Sequence, residues 1–230
     1  MAKKKIEAEK DEVIVDVEQV YSKTEDFINE NQNVILGVVG GIIAIVVAFY
    51  AYNRVYLEPL EEEAHGEMFM AELYFQKDSF ELALNGDGNY LGFLDVADEY
   101  GNTTAGNLAH YYAGVCYLRT GKFEEAIEEL GNFDAEGEVL GSVAQGATGD
   151  AYMELDNGDE ALKYYEKAAN ASENNFSSPI YLQKAGFAAE KAKKYDKAID
   201  YYTQVKEKYP ETNEGRNAEK FIARAEANLN

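Results

Sequence analysis

The chain has 230 residues, enough for one large domain or two small ones, and its 43 Asp+Glu against 21 Lys+Arg give a formal charge of −22. Such a carboxylate excess repels phosphate backbones and anionic lipid surfaces, which excludes nucleic acid as a partner. With one cysteine (Cys116), two histidines (His65 and His110), no Cys/His set at zinc spacing, and neither a nucleophile elbow nor a Walker loop, the sequence nominates no catalytic, cofactor or metal residue.

Residues 1–32 form an acidic leading segment in which Val13, Val17, Val20, Tyr21, Thr24, Phe27 and Ile28 fall near helical spacing, and Ser22-Lys23-Thr24-Glu25 fits a capping box. One long helix and two short ones are both compatible with that pattern. Its carboxylates favour solvent or a protein over an anionic bilayer.

Residues 33–57 read as a membrane anchor. Val34 to Tyr52 are 19 uncharged, mostly apolar positions, and a helix of that length spans about 28 Å, close to a bilayer's hydrocarbon thickness. A cleaved secretory signal has a shorter apolar core and a basic start, whereas here a long acidic stretch comes first. Tyr50, Tyr52 and Tyr56 form an interfacial aromatic belt with Arg54 at its edge. Lys3, Lys4, Lys5, Lys10 and Lys23 precede the span and only Arg54 closely follows it, which predicts a cytoplasmic N-terminus and an exported C-terminal part. Gly37 and Gly41 form a GxxxG pair that Ala44 and Ala48 extend; such a stripe lets another membrane helix approach, although Gly and Ala are also common in membrane helices generally.

Residues 58–230 carry internal repeats. "YYAGVCYLRTGKFEEAIEEL", "GATGDAYMELDNGDEALKYY" and "QKAGFAAEKAKKYDKAIDYY" align with Gly114, Gly149 and Gly186 at one place and Ala126, Ala161 and Ala198 twelve residues later, at intervals of 35 and 37. Large residues sit beside them: Tyr117 and Tyr152 in the first helix of the pair, Leu130, Tyr165 and Tyr202 in the second. Ala189 departs from this pattern. The lines resemble tetratricopeptide repeats, antiparallel helix pairs in which small residues let the two helices close up. An earlier repeat has Ala71, Tyr74 and Ala83 in the same register, but six extra residues fall near Asn85–Asn89. "LNGDGNYLG" there begins like a calcium loop with Asp87, Asn89 and Gly92. Leu91 and Asp98 then break the calcium pattern, so the expectation is an insertion splitting that repeat's second helix, with Gly86 and Gly88 supplying the turn. "EYGNTTAGN" before the second repeat resembles "KYPETNEGRN" after the last, and Ala218, Phe221, Ile222, Ala225 and Leu229 share one face of a closing helix.

The predicted fold class is therefore all-α: a single N-terminal transmembrane helix followed by a tetratricopeptide-repeat helical solenoid of about four helix pairs plus an end helix. In that family the first helix of each pair lines a concave groove. Mapped through the aligned glycines, the resemblance assigns Tyr111, Tyr112, Arg119, Asp150, Met153, Glu154, Lys184 and Phe187 to it, a surface suited to an extended peptide. The family's carboxylate clamp uses Lys and Asn where this chain has Tyr111, Val115, Ala147 and Ile180, which argues against that use. The whole plan resembles the YfgM-type ancillary subunit of the SecYEG translocon, a likeness concentrated in "ALNGDGNYLGFLDVADEYGNTTAGNLAHYYAGVCYL". It implies a bacterial inner-membrane protein with a periplasmic repeat domain, a SecYEG-type channel and a PpiD-like membrane chaperone as partners, nascent secreted proteins as clients, and no enzymatic activity. A membrane-anchored import receptor for basic presequences and an envelope-assembly scaffold are the alternatives.

Overall fold

The computed structural model describes residues 25–135, 137–171 and 173–229, and every regular element among them is helical. The pattern from Val13 to Thr24 and most of the capping box lie outside the described residues; residues 25–30 are helical. Packing divides the chain into two units, Met1–Tyr56 and Leu57–Asn230.

The first unit contains α1 (Gln32–Tyr52), which buries none of its side chains. Leu36 is 72% exposed and Ile45 71%, so nothing among the described residues covers its apolar surface. By length and composition this is a helix able to cross a membrane. A π-helical turn follows at Asn53–Leu57. Asn53 Nδ2 donates at 2.9 Å to the Phe49 carbonyl, which the Asn53 N–H also reaches, and Tyr52 and Tyr56 face each other with ring centroids 5.3 Å apart.

The second unit runs α2 (Glu58–Gln76), α3 (Phe80–Asn85), α4 (Phe93–Glu99), α5 (Thr104–Thr120), α6 (Phe123–Asn132), α7 (Glu138–Glu154), α8 (Gly158–Asn170), α9 (Ser178–Lys191), α10 (Tyr195–Lys208) and α11 (Asn213–Leu229). The pairs α5/α6, α7/α8 and α9/α10 pack closely, and α11 packs along α10. Short connections force each pair antiparallel.

The aligned glycines explain why the hairpins close so tightly. A Cβ at Gly149 would lie 2.6 Å from Tyr165 Cε1, one at Gly186 2.2 Å from Tyr202 Cε1, and one at Gly114 2.6 Å from Leu130 Cγ. The small position of each first helix thus receives the large residue of its own second helix. Ala126, Ala161 and Ala198 are fully buried.

Each hairpin turn uses one device. Asp78, Gly121, Asp156 and Lys193 take left-handed backbone, with φ of 56°, 78°, 61° and 58°. Beyond each, an N–H reaches back to the first helix: Ser79 to the Tyr74 carbonyl, Lys122 to Tyr117 and Asn157 to Tyr152, all at 2.9 Å, and Lys194 to Ala189 at 2.8 Å. These are Schellman closures, which satisfy carbonyls that the helix end would otherwise leave open.

The entry to α5 repeats at α11. Thr103 Oγ1 donates to the Tyr100 carbonyl at 2.7 Å and accepts from Gly106 N at 2.9 Å. Thr212 Oγ1 makes the same pair with Tyr209 and Gly215 at 2.9 and 3.0 Å. A Cβ at Gly106 or Gly215 would lie 2.0 Å from the corresponding tyrosine carbonyl oxygen. The two similar sequence stretches are therefore two copies of one N-cap turn.

The second helix of the first repeat breaks where the extra residues fall. Gly86 (φ 73°) ends α3 and Gly92 precedes α4. A Cβ at Gly92 would lie 2.1 Å from the Leu84 carbonyl oxygen, so the two strands of the bulge touch backbone to backbone. Asp87 organises it: Oδ1 accepts from Asn89 N and Tyr90 N, both at 2.9 Å, and Oδ2 accepts from Tyr74 Oη at 2.7 Å. One carboxylate oxygen is thus committed to the loop itself and the other ties the loop to α2. Ala83 before the bulge and Phe93 after it are fully buried, so the insertion is looped out and the core register resumes.

Candidate peptide-binding cleft

The first helices of the second, third and fourth pairs enclose a cleft of about 680 Å³ lined chiefly from α5 and α7. Tyr111 stands on the α5 side and Tyr181, from α9, on the other; Val143 and Ala147 contribute apolar surface from α7. Gly146 makes this possible, because a Cβ there would lie 2.1 Å from Tyr181 Cε1.

Charge in the cleft is partly neutralised. Lys184 Nζ donates to both Asp150 oxygens, at 2.7 and 2.8 Å. Tyr165 Oη donates to Asp150 Oδ1 at 2.6 Å. The same ammonium lies 5.7 Å from the Tyr165 ring centroid and 5.9 Å from that of Tyr181, within cation–π range. Burial, reinforced by the Asp150 charge, holds the Tyr165 phenol well above its usual range. Burial and then Asp150 push Tyr181 up to about 12. Arg119 and Glu154 also line the cleft, both exposed, and neither has an ion-pair partner among the described residues.

A second cleft of about 450 Å³ shares Met153 with the first and is lined also by Phe187, Glu190, Lys191, Tyr195, Arg224 and Asn228. The Arg224 guanidinium sits 5.3 and 5.0 Å from the Phe187 and Phe221 ring centroids and reaches Glu190 Oε1 at 3.0 Å.

Tetratricopeptide-repeat family profiles match residues 108–134, 145–175 and 181–212. No curated protein matches the chain by sequence. Among solved structures it is similar to two crystal structures of a Podosopora anserina kinesin-light-chain candidate with nearly identical TPR-like repeats. Both have a TM-score of 0.57; identities are 15% and 14%, with 74% of this chain and 87% and 88% of the other chains covered. At that identity the likeness concerns the fold.

The chain carries tetratricopeptide repeats.

The matched stretches are the second, third and fourth repeats of the solenoid. Of the residues mapped from the sequence, Tyr111, Arg119, Asp150, Met153 and Glu154 line the first cleft. Lys184 reaches it through Asp150, and Phe187 lines the second. Tyr112 stands apart: its ring stacks on Phe93 at 4.9 Å and meets Phe75 edge-on at 5.1 Å, packing the first repeat against the second. The mapping by aligned glycines did not single out Tyr181, which falls one residue beyond a clamp position. Its signal is the first glycine in "QGATG", Gly146, whose missing side chain is the space the ring fills.

Among the described residues no group of three or more His, Cys, Asp or Glu side chains is arranged to hold a metal ion. Cys116 is fully buried, and burial pushes its thiol up to about 12, so it is an inert core residue. Tetratricopeptide solenoids act as protein-interaction scaffolds, their repeats stacking into an extended binding surface.

Proposed function

We propose that the chain is a non-enzymatic, single-pass subunit of the bacterial inner membrane. Residues 1–32 are cytoplasmic, 33–57 form the anchor and 58–230 form a periplasmic repeat domain. It associates with a SecYEG-type channel and a PpiD-like membrane chaperone and holds nascent secreted proteins as they emerge. The observation that carries this reading is the aromatic-walled cleft between repeats, open and mixed in charge, in a chain that also contains an uncovered apolar helix. An extended chain places successive side chains on alternate sides, so a groove with apolar surface and polar rims suits an unfolded client.

The stripe of Gly37, Gly41, Ala44 and Ala48 packs against a partner's membrane helix in this reading. A Cβ at Gly37 or Gly41 meets nothing within 4 Å among the described residues, as a face open to a neighbouring helix would. Purification of the full chain in mild detergent, followed by identification of bound proteins, tests the proposal: channel and chaperone subunits are the expected partners, and Gly41→Leu weakens their recovery. Recovery of neither from wild-type protein would overturn the translocon assignment.

The acidity of the repeats, 34 Asp+Glu against 15 Lys+Arg from residue 58 onward, favours one second reading, a receptor for basic presequences with its repeats in the cytosol. Protease protection in intact spheroplasts separates the two, because only an exported repeat domain is digested from outside. An envelope-assembly scaffold would bring down different partners in the same purification.

A further inference from the structure

Each later repeat lays its first helix on the second helix of the repeat before it: α5 on α4, α7 on α6 and α9 on α8. The residues that do so recur at fixed places around the aligned glycine. Two places after it stand Cys116, Ala151 and Ala188, all fully buried, and one place before it Ala113, Thr148 and Ala185, buried as well. Two places before it, Tyr112 stacks on Phe93 and Lys184 binds Asp150, each reaching into the preceding repeat. In α2 the same places, counted from Ala71, hold Leu73, Met70 and Phe69, but the repeat domain has no earlier helix to receive them. Leu73 and Met70 are therefore only half-buried, and Phe69 is 61% exposed. A Cβ at Gly66, one turn earlier on this face, meets nothing within 4 Å among the described residues. At the other end of the solenoid, α11 covers α10, as a terminal repeat requires. We propose that the open face of α2 docks an amphipathic helix of another protein, apolar along one side and flanked by Lys or Arg, in the place of the missing second helix.

Repeat geometry makes the occupant a helix, and charge makes it a cationic one. Residues 58–99 have 12 Asp+Glu and one Lys+Arg. Within α2 there are six Glu and no Lys or Arg, and exposed Glu62 continues the row of Gly66, Phe69 and Leu73 at helical spacing. A second copy of the chain would set these carboxylates against one another beside an apolar contact, where water and salt screen them least. Residues 1–32 are acidic too, and cytoplasmic in the proposed topology. A helix with an apolar stripe covers Phe69 and Leu73, while its flanking cations meet the glutamates. The face shares no residue with either cleft, so a client in the cleft and a partner on α2 do not compete.

Fluorescence anisotropy tests this on the full chain in zwitterionic nanodiscs, with empty discs as the baseline. Three labelled peptides of about 18 residues, five helical turns, are compared: Leu and Ala along one helical face with Lys elsewhere, the same peptide with Glu for Lys, and the Lys peptide with its order scrambled. The first should bind at least roughly tenfold more tightly than either of the others. Phe69→Asp should weaken it roughly tenfold or more without changing the melting temperature, since the ring is largely exposed. This variant also adds a carboxylate, so tighter binding to it would mean attraction by net charge alone and would overturn the docking face. Glu62→Lys should narrow the preference for Lys over Glu peptides. Equal binding of the scrambled peptide, or of the Glu peptide, also overturns the proposal. A wild-type dimer in sedimentation that Phe69→Asp dissociates would assign the face to a second copy instead. Binding that appears only after removal of residues 1–24 would assign it to the chain's own leading segment.

Discussion

Tyr202 lies fully buried against Gly186, with its hydroxyl donating to Glu190 Oε1 at 3.0 Å, so the ring cannot swing away from an added methyl group. Tyr165, tied to Asp150, is in the same position against Gly149. Gly186→Ala and Gly149→Ala should each destabilise the protein by about 1–3 kcal/mol as overpacking does elsewhere, read as a lower urea midpoint. Gly66→Ala, in α2 with nothing among the described residues within 4 Å of the new Cβ, should instead stabilise by about 0.5–1 kcal/mol. The contrast separates glycines that create space from those that do not. At this scale the sequence was readable where one residue type recurs at one interval, because a missing side chain and its bulky partner leave matching marks. Tyr181 was not, since its place depends on a third helix that no local spacing encodes.

The hairpin turns make the same point for elements. One of the four announces itself as Gly121; the others reach left-handed backbone with Asp78, Asp156 and Lys193. The helices on either side impose the conformation and carry its cost, so residue type there does not disclose it. Lys193→Gly should relieve strain of about 1 kcal/mol and raise the urea midpoint, with the cleft's peptide affinity unchanged. Thr212→Ala should cost about 1 kcal/mol by leaving the α11 cap unmade. The bulge at Gly86–Gly92 was legible, because six surplus residues in an otherwise regular repeat can only be looped out, and two glycines mark where. What the spacing could not show is how Asp87 is used. The Tyr74 hydroxyl, then the Asn89 and Tyr90 N–H groups, hold its carboxyl below the usual range. Its contribution is therefore present above the unfolded value near 4 and lost as pH falls through the lower folded value. With both oxygens occupied, calcium should leave the melting temperature of the wild-type protein unchanged. A calcium-dependent rise lost in Asp87→Ala would restore an ion site.

On the scale of the molecule, stacked repeats contact only their neighbours, so stability is a sum of local packing terms rather than the property of one core. Many of those terms involve tyrosine. Burial raises Tyr165, Tyr201 and Tyr202 well beyond the ordinary phenol range, with the nearby Asp150, Glu166 and Glu190 adding to it, and Tyr181 to about 12. Each such group stabilises fully below the unfolded value near 10 and loses that contribution as pH rises toward its folded value. The melting temperature should hold steady through neutral pH and fall steeply above about pH 10, in step with tyrosinate absorbance. Repulsion among 43 carboxylates is an alternative source of alkaline weakness, because the lysines lose their charge in the same range. Salt distinguishes the two causes: it screens surface repulsion but hardly touches a buried phenol. The fall should persist in 1 M salt and shrink in Tyr202→Phe, which keeps the ring over Gly186 and removes the ionisable oxygen. If salt abolishes the fall, carboxylate repulsion and not tyrosine burial sets the upper pH limit of the solenoid.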